Sequence, residues 1–366
     1  MKHLFYLILC LFSGLISGMA QTPNTALTLE QHVQDYDFAV KYIEDNYSGF
    51  FQIVTDSRKT DYNEMKDSLR RQVEQSERPC WDAIAAFMGW FNDLHLCLHV
   101  SFQDLTYFKY HARANRMIDY RSQMEEYDPK PVASKVTDKT YLIRFPSCDD
   151  SPEYRKWIKE SIKKFKKSHC ENLIIDVRGN RGGNDGLFVP YQQLLYDHEA
   201  ADTAPVFRFT PQNLAFMKEQ GWWQGKRLEQ LSVQYPGIEF LPLGINRIKY
   251  KECKSLRKAA IIIDNSVASS GESSVLMAKM CSQKTTIYGR DNTVGCLDFA
   301  NVSFVKLPNC GLTFQMPMSM AYGYPRTAID PTGIVPDVRI DLPLPKKLTD
   351  NIDDWVIWVA KQLEKE

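Results

Sequence analysis

Two short apolar runs, each ending in an aspartate, constrain the fold of this chain most strongly. Leu173–Asp176 and Ala260–Asp264 are each followed by a turn of glycines or serines, and then by a segment with helical spacing. Uninterrupted apolar runs of this length are typical of strands buried on both faces of a parallel sheet. Thr140–Phe145 and Lys284–Tyr288 predict two further strands. The alternation of strands and helices predicts an α/β core.

The region before this core has helical periodicity. Over residues 27–98 apolar side chains recur at helix spacing, and Thr28 with Gln31 forms a capping-box pattern. Residues 351–366 form another amphipathic pattern at the end of the chain. We therefore expect a helical N-terminal domain over 21–99, an α/β core over 100–345, and a C-terminal helix over 346–366 that packs on the core.

Residues 1–20 have the pattern of a secretory signal peptide. Lys2 precedes the apolar run Leu4–Ile16, and small residues follow up to Ala20, which suits cleavage before Gln21. The alternative is a membrane anchor, but the run is shorter than the roughly 20 residues that a membrane span needs. We therefore expect an exported protein, periplasmic or extracellular, without a membrane span in the mature chain.

Charge and cysteine spacing exclude several classes of function. Lys+Arg and Asp+Glu are both 45, so the formal net charge is zero, and no global field favours nucleic acid as a partner. The cysteines after the leader are scattered and form no Cys-x-x-Cys pair, which argues against a zinc ribbon or a thioredoxin-type site. We expect neither a cofactor nor a metal.

The segment Asp176–Gly183 follows the first apolar run and is rich in glycine. Glycines allow a tight turn that exposes backbone N–H groups to a bound group. The alternative is a purely structural loop in which Asp176 and Arg178 pair with each other. No Gly-Lys-Ser/Thr follows, so the segment is not a phosphate-binding loop.

The second turn, after Ala260–Asp264, carries a candidate nucleophile. Ser269 lies where a strand passes into a helix, so the helix N-terminus and the next N–H groups favour a developing oxyanion. Ser269 and Glu272 also fit a capping box, which is the structural alternative.

Two further segments carry the partners that such a serine needs. His95, at the end of the helical region, is a candidate general base, and Asp330 can orient a histidine. If residues 95–99 are extended, His95, Cys97 and His99 share one face, which permits a zinc site, although no fourth ligand is evident.

Taken together, these segments resemble the tail-specific, or C-terminal-processing, serine peptidases. The resemblance is closest to their tricorn-protease and retinoid-binding-protein-like branch, and spans about residues 30–345. The family's Asp-x-Arg-x-Asn-x-Gly-Gly loop is matched by Asp176–Gly183, and its nucleophile turn by Val267–Glu272. Its closing Gly-Ile/Val-x-Pro-Asp motif is matched by Gly333–Asp337, and Asp93–Leu96 resembles the histidine motif of the tricorn-like branch.

The resemblance implies a ClpP/crotonase-like α/β core with a helical N-terminal domain. It also implies roles for individual residues: Ser269 as nucleophile, His95 as general base and Asp330 as its orienting carboxylate. The oxyanion hole is expected from the N–H of Ser270 and of a loop glycine, Gly182 or Gly183, with Gly182 favoured. Asp176, Arg178 and Asn180 are expected to shape the site loop.

Four differences from the family pattern refine this prediction, one of which is that Leu94 and Leu96 replace the usual small and hydroxyl residues beside His95. Many relatives use a lysine as base, but Lys279 is about 15 Å along a helix from Ser269 and too far away. Asp330 replaces a glutamate of the tricorn-like branch, which shortens the carboxylate's reach. Residues between His99 and Thr140 are too few for the PDZ domain of many relatives, so none is expected.

The sequence therefore predicts an exported serine peptidase that hydrolyses peptides or proteins through an acyl-enzyme on Ser269. The alternative is a catalytically inactive ligand- or peptide-binding protein on the same fold. A hydrolase of non-peptide esters would use the same site. Residues 200–250 are expected to form a loop-rich insertion near it.

Overall fold

The computed structural model describes residues 23–99 and 117–365, so the predicted signal peptide lies outside the described residues. The helices are α1 (Leu29–Asn46), α2 (Phe50–Ile53), α3 (Lys59–Glu74), α4 (Cys80–Trp90), α5 (Tyr120–Gln123), α6 (Pro152–Ser168), α7 (Val189–Leu195), α8 (Pro211–Glu219), α9 (Trp223–Gln234), α10 (Ser270–Met280) and α11 (Asp354–Leu363). Short 3₁₀ turns cover Asp56–Arg58 and Asp185–Phe188.

The strands alternate with these helices through most of the chain. They are β1 (Cys97–His99), β2 (Glu126–Tyr127), β3 (Val132–Lys135), β4 (Thr140–Arg144), β5 (Asn172–Asp176), β6 (Ala200–Thr203), β7 (Val206–Arg208), β8 (Phe240–Pro242), β9 (Ile245–Ile248), β10 (Lys258–Ile263), β11 (Thr285–Gly289), β12 (Phe299–Lys306), β13 (Thr313–Met320), β14 (Val338–Arg339) and β15 (Lys347–Leu348).

A six-stranded sheet in the order β14–β11–β10–β5–β4–β3 forms the centre of the core. β3 runs antiparallel to β4, and the other neighbouring pairs are parallel. β5 is buried throughout, as its apolar run predicts. Asp176 is in register with Ile262, so the turns that follow β5 and β10 emerge side by side at one edge of the sheet. The predicted α/β core is confirmed.

Helices cover both faces of this sheet. On one face the apolar side chains of α6, α7 and α10 pack on Ile143, Ile175 and Ile261, while on the other Trp355 and Val359 of α11 pack on Ile262. The predicted C-terminal helix therefore packs on the core, although the predicted domain limits themselves stay a prediction.

A second, antiparallel sheet joins the N-terminal helices to the core. Its strands follow the order β1–β13–β7–β8, with β12 also paired to β13. The helices α1 and α4 bury Tyr36, Ile84 and Phe87 against Phe314 and Met316 of β13. Because β1 pairs with β13, the residues just before β1 are held next to the core, and His95 is one of them.

The expectation of a loop-rich insertion over 200–250 is wrong. The segment contains four strands and two helices, β6 to β9 with α8 and α9, around a core of its own that includes Phe207, Met217 and Leu228. A local signal was present, because Thr210 caps α8 and Pro211 occupies its first turn. The strands are three or four residues long, too short for their periodicity to stand out.

Candidate active site

Ser269 lies in the turn between β10 and α10, in a strained backbone conformation. Its φ and ψ are 54° and −124°, a combination that residues other than glycine rarely adopt. Such strain costs about 1–3 kcal/mol and persists only where the surroundings impose it. A tight strand-to-helix turn of this kind presents the serine hydroxyl at the end of the sheet.

Glu272 is one of the groups that impose this conformation. Its buried carboxylate accepts the N–H of Ser269 at 3.2 Å, the N–H groups of Gly295 and Cys296 at 2.7 and 2.8 Å, and the hydroxyl of Thr293 at 2.6 Å. Burial raises the pKa of Glu272, and these hydrogen bonds oppose that rise. The carboxylate therefore fastens the serine turn to the loop after β11.

His95 meets the hydroxyl of Ser269 across the boundary between the N-terminal region and the core. Its Nε2 is 3.1 Å from Ser269 Oγ. Its Nδ1 is 2.6 Å from the carbonyl oxygen of Phe299, the first residue of β12. A carbonyl only accepts hydrogen bonds, so Nδ1 carries the proton and the lone pair of Nε2 faces the serine hydroxyl. This is the arrangement that a general base requires.

The backbone of His95 is fixed by a buried pair behind it. Asp93 accepts the N–H of His95 at 2.9 Å and the hydroxyl of Tyr47 at 2.7 Å. Asp93 is 2% exposed and Tyr47 is fully buried. Burial and the nearby carboxylate raise the pKa of Tyr47 well above its ordinary value, so the phenol stays a hydrogen-bond donor. The histidine is therefore positioned through α1, which ends beside Tyr47.

The glycine-rich loop after β5 packs directly on the serine turn. The carbonyl of Asn180 accepts the N–H of Ala268, and a Cβ at Gly271 would stand 2.3 Å from that carbonyl oxygen. A Cβ at Gly182, whose φ is 105°, would stand 2.8 Å from the Cβ of Ser269. Glycine is needed at both positions because the two loops touch there.

Where the glycine-rich loop meets the serine turn, two backbone N–H groups remain available to a bound group. Among the described residues, neither Ser270 nor Gly183 donates its N–H to a protein acceptor. The N–H of Gly182, in contrast, is donated to Asn180 Oδ1 at 3.0 Å. The Gly182 N–H, which the sequence favours as an oxyanion donor, is thus already bonded to the side chain that shapes the loop, and the choice between Gly182 and Gly183 stays a prediction.

Asp176 and Arg178 belong to a buried ion network. Asp176 bonds the guanidinium groups of Arg144 and Arg178, and both arginines also reach Asp353. Burial alone would raise the pKa of Asp176, but Arg178 and Arg144 outweigh it and lower that pKa to about 2. These side chains point away from solvent and hold the loop, so they act on the site by shaping its backbone.

Asp330 is bonded to the segment that precedes β12. Its Oδ1 accepts the N–H of Leu297 at 3.0 Å, and its own N–H is donated to Asp298. Its charge also contributes to the raised pKa of Tyr47. Asp330 thus braces the chain that leads to Phe299, the residue whose carbonyl orients His95.

Two of the residues whose spacing permits a zinc site, His95 and His99, have their Nε2 atoms on different partners. His95 Nε2 faces Ser269, whereas His99 Nε2 bonds Gln315 Oε1 at 3.2 Å.

Lys279 bonds Asp337 at 2.9 Å and the carbonyl of Thr285, so its ammonium is engaged at the far end of α10. The serine therefore has an imidazole, and not an ammonium, as its neighbour.

Comparison with known proteins decides the family. The model of peptidase family S41 matches residues 139–340, more than half of the chain. The chain belongs to peptidase family S41. The matched range includes both turns of the site, while His95 lies before it. A search of the curated proteins finds no match.

Solved structures support the same fold for this peptidase-family member. A putative peptidase from Parabacteroides merdae is 16% identical, with a TM-score of 0.55, over 84% of this chain and 90% of its own. A serine-to-alanine mutant of CPAF is 13% identical, with a TM-score of 0.59, over 85% and 93% of the two chains. Mature CPAF complexed with lactacystin is 13% identical, with a TM-score of 0.56, over 85% and 94%. At these identities the likeness shows the fold.

A cleft of about 1270 Å³ opens in front of Ser269 in this S41 chain. His95, Ser269, Ser270 and Gly183 line one part of it, and Trp222 and Phe216 of the 200–250 segment line another. The insertion therefore lies near the site, as expected, and adds a wall to the cleft. No helix within residues 23–99 and 117–365 has the length and apolar character to cross a membrane.

Sequence reasoning missed two contributors to this site, the Phe299 carbonyl and Asp93, and named the third, Glu272, only as the capping-box partner of Ser269, a capping box that the structure contains. The Phe299 carbonyl orients His95, Asp93 holds its backbone, and Glu272 fastens the serine turn. A backbone carbonyl leaves no signature in a sequence. The other two had a local signal, since Asp93 stands two residues before the histidine and Glu272 three residues after the serine.

Proposed function

We propose that this protein hydrolyses peptide bonds through an acyl-enzyme on Ser269. The observation that carries the proposal is the 3.1 Å contact between Ser269 Oγ and His95 Nε2, with Nδ1 held at 2.6 Å from Phe299 O. His95 takes the proton of the hydroxyl as Oγ attacks the substrate carbonyl carbon. A ring in this tautomer needs no rearrangement before it accepts the proton.

The oxyanion that forms in this step is stabilised by backbone donors. The N–H groups of Ser270 and Gly183, together with the N-terminus of α10, supply positive potential where the charge develops. The protonated His95 then gives its proton to the leaving amine nitrogen as the peptide C–N bond breaks. Water, deprotonated by the same imidazole, attacks the ester and releases Ser269.

Asp330 supports the histidine from behind. By holding Leu297 it fixes the chain that presents the Phe299 carbonyl, and its negative charge favours the imidazolium that forms during catalysis. We therefore propose Asp330 as a positioning residue that acts through the backbone.

The test is labelling with a fluorophosphonate probe, followed by hydrolysis of a mixed peptide library. Wild-type protein should be labelled and should cleave, whereas Ser269→Ala should do neither. Ser273→Ala, one helical turn away on α10, is the matched control and should still be labelled. Equal labelling of wild type and Ser269→Ala, without peptide hydrolysis, would contradict the proposal and favour the binding-protein alternative.

We also propose that the protein is exported. The charged start, the apolar run and the small residues before Gln21 support removal of residues 1–20. Mass spectrometry of the protein from its native host should find an N-terminus at Gln21, and an intact Met1 on the mature protein would contradict this.

A further inference from the structure

A buried carboxylate that the proposed mechanism does not use lies in the same cleft. Asp185 begins the 3₁₀ turn that follows the glycine-rich loop and is 8% exposed. Its Oδ2 accepts the hydroxyl of Ser273 at 3.2 Å, while its buried Oδ1 has no hydrogen-bond partner among the described residues. Buried acceptors without a donor are rare in native proteins, and each requires an explanation.

The Asp185 carboxylate lies about one helical turn from Ser269, a distance that the side chain of a bound peptide can span. Ser273, its partner, donates its N–H to the carbonyl of Ser269 one helical turn earlier. Four residues of helix span about 6 Å along the axis. Asp185 therefore lies within reach of a side chain at or beside the scissile bond of a peptide attacked by Ser269.

A second carboxylate strengthens the local negative potential. Asp202 of β6 also lines the cleft, and its charge contributes to the raised pKa of Asp185. Over the whole cleft, acidic residues outnumber cationic ones. The acidic lining residues are Asp149, Asp185, Asp202, Glu219 and Asp298, against Arg181 and Lys279. Because Lys279 is already paired with Asp337, the lining favours a cation.

The walls beside this carboxylate are apolar. Met277 and Met280 of α10 line the cleft on one side, and Phe216 and Trp222 line it from the 200–250 segment. Long cationic side chains bury their methylene stems on such surfaces and keep the charged end for a polar partner. An apolar slot with a buried carboxylate suits lysine or arginine.

We propose that Asp185, with Asp202 beside it, binds a cationic side chain of the substrate, so that the enzyme prefers lysine or arginine at one position next to the scissile bond. This inference rests on the proposed peptidase function. An amine or guanidinium that binds the Asp185 carboxylate stabilises its ionised form.

The preference should depend on pH. Burial, with a smaller effect of Asp202, raises the pKa of Asp185 to about 7, so the free carboxyl loses its proton near neutrality. A cation binds the ionised form, and the preference should therefore rise as pH increases from about 6 to 8. The groups around Asp185 are Ser273 of α10, Asp202 of β6, Cys148 and Asp149 after β4, and Asp150, which bonds Asn184. Cys148, with a pKa raised to about 12 chiefly by burial, stays neutral over this range.

The experiment uses peptide pairs in which one position at a time carries either lysine or norleucine. For wild-type enzyme the ratio of kcat/KM values, lysine over norleucine, should reach about tenfold at one position, since the cation forms charge-assisted hydrogen bonds with the carboxylate. Effects of pH that are common to both peptides cancel in the ratio. Asp185→Asn should reduce the ratio to near one, and Asp202→Asn should reduce it less.

Asp149→Asn is the matched control, because Asp149 is an exposed carboxylate of the same cleft. It should change the ratio by less than twofold. An enzyme that cleaves without a cation preference, or a preference that survives in Asp185→Asn and Asp202→Asn, would overturn the inference while leaving the peptidase function intact.

Binding to Ser269→Ala separates the two proposals. If this variant binds lysine peptides about tenfold more tightly than norleucine peptides, and the gain disappears when Asp185→Asn is added, the inference holds even if wild type hydrolyses nothing. Equal affinities for the two peptides would overturn it whatever the activity of wild type.

Discussion

The turns after β5 and β10 both start at a buried aspartate, but the first holds the structure together and the second carries Ser269. A buried aspartate stands at the end of each strand, Asp176 as the last residue of β5 and Asp264 directly after β10, at the same edge of the sheet. Arg178 and Arg144 lower the pKa of Asp176 to about 2. Burial raises the pKa of Asp264, which is bonded by the neutral groups of Ser266 and Tyr127. The charged side chains of the first turn form the buried ion network, whereas the second turn presents the hydroxyl of Ser269.

The difference shows that the more conspicuous motif is not the reactive one. The Asp-x-Arg-x-Asn-x-Gly-Gly loop contributes backbone to the site, namely the Gly183 N–H and the close approach of Gly182 to Ser269. The serine turn carries the proposed nucleophile, Ser269, at a strained φ of 54°. Variants of the two turns should therefore separate catalysis from stability.

The largest expected effect is on the histidine that serves the second turn. His95→Ala should reduce kcat/KM by about 10³-fold or more, because no other base faces Ser269 Oγ in the geometry described. His99→Ala is the matched control, since His99 stands four residues later and bonds Gln315. Steady-state kinetics on a peptide substrate measure both. Equal losses in the two variants would mean that His95 acts through folding alone.

An intermediate effect is expected where the two turns touch. Gly182→Ala should lower kcat/KM by about 100-fold, because a Cβ 2.8 Å from that of Ser269 displaces the nucleophile, and displacement by about 1 Å costs this much. Gly244→Ala is the control, with a φ of 126° and nothing within 4 Å of the added Cβ. Gly244→Ala therefore measures the effect of backbone strain without a steric contact. If both variants lose similar activity, close approach is not the cause.

The smallest effect on activity, and a large one on stability, is expected in the first turn. Asp176→Asn leaves two buried arginines with one carboxylate fewer, and breaking a buried pair costs about 3–5 kcal/mol of unfolding free energy. Under conditions where it stays folded, its kcat/KM should fall only a few-fold. Urea unfolding and kinetics on the same preparation give the two values.

The pH dependence of this stability follows from the lowered pKa. The pKa of the Asp176 carboxyl is about 4 in the unfolded chain and about 2 in the folded protein. The contribution of Asp176 is thus fully present above pH 4 to 5 and is lost as pH falls toward 2. Asp176→Asn should lack this part of the acid-induced loss, and an unchanged acid slope would contradict the assignment.

Much of the fold and of the site can be predicted from the sequence. Continuous apolar runs identify β5 and β10, and the family motifs bring Ser269 and His95 together although 174 positions separate them. The hydrogen bond from the Gly182 N–H to Asn180 Oδ1 could not be predicted, because it depends on a side-chain rotamer that no motif encodes. Asp185 passes unnoticed because an acid at a helix start is an ordinary capping feature, and only burial reveals its unpaired oxygen.

The most direct test of the central claim is to trap the covalent intermediate. A slowly deacylating peptide ester should add its acyl mass once per chain, and peptide mapping of the wild-type protein should place that mass on Ser269. His95→Ala should accumulate it far more slowly, and Ser269→Ala should accumulate none. An acyl group on another residue, or turnover in Ser269→Ala at the wild-type rate, would contradict the account.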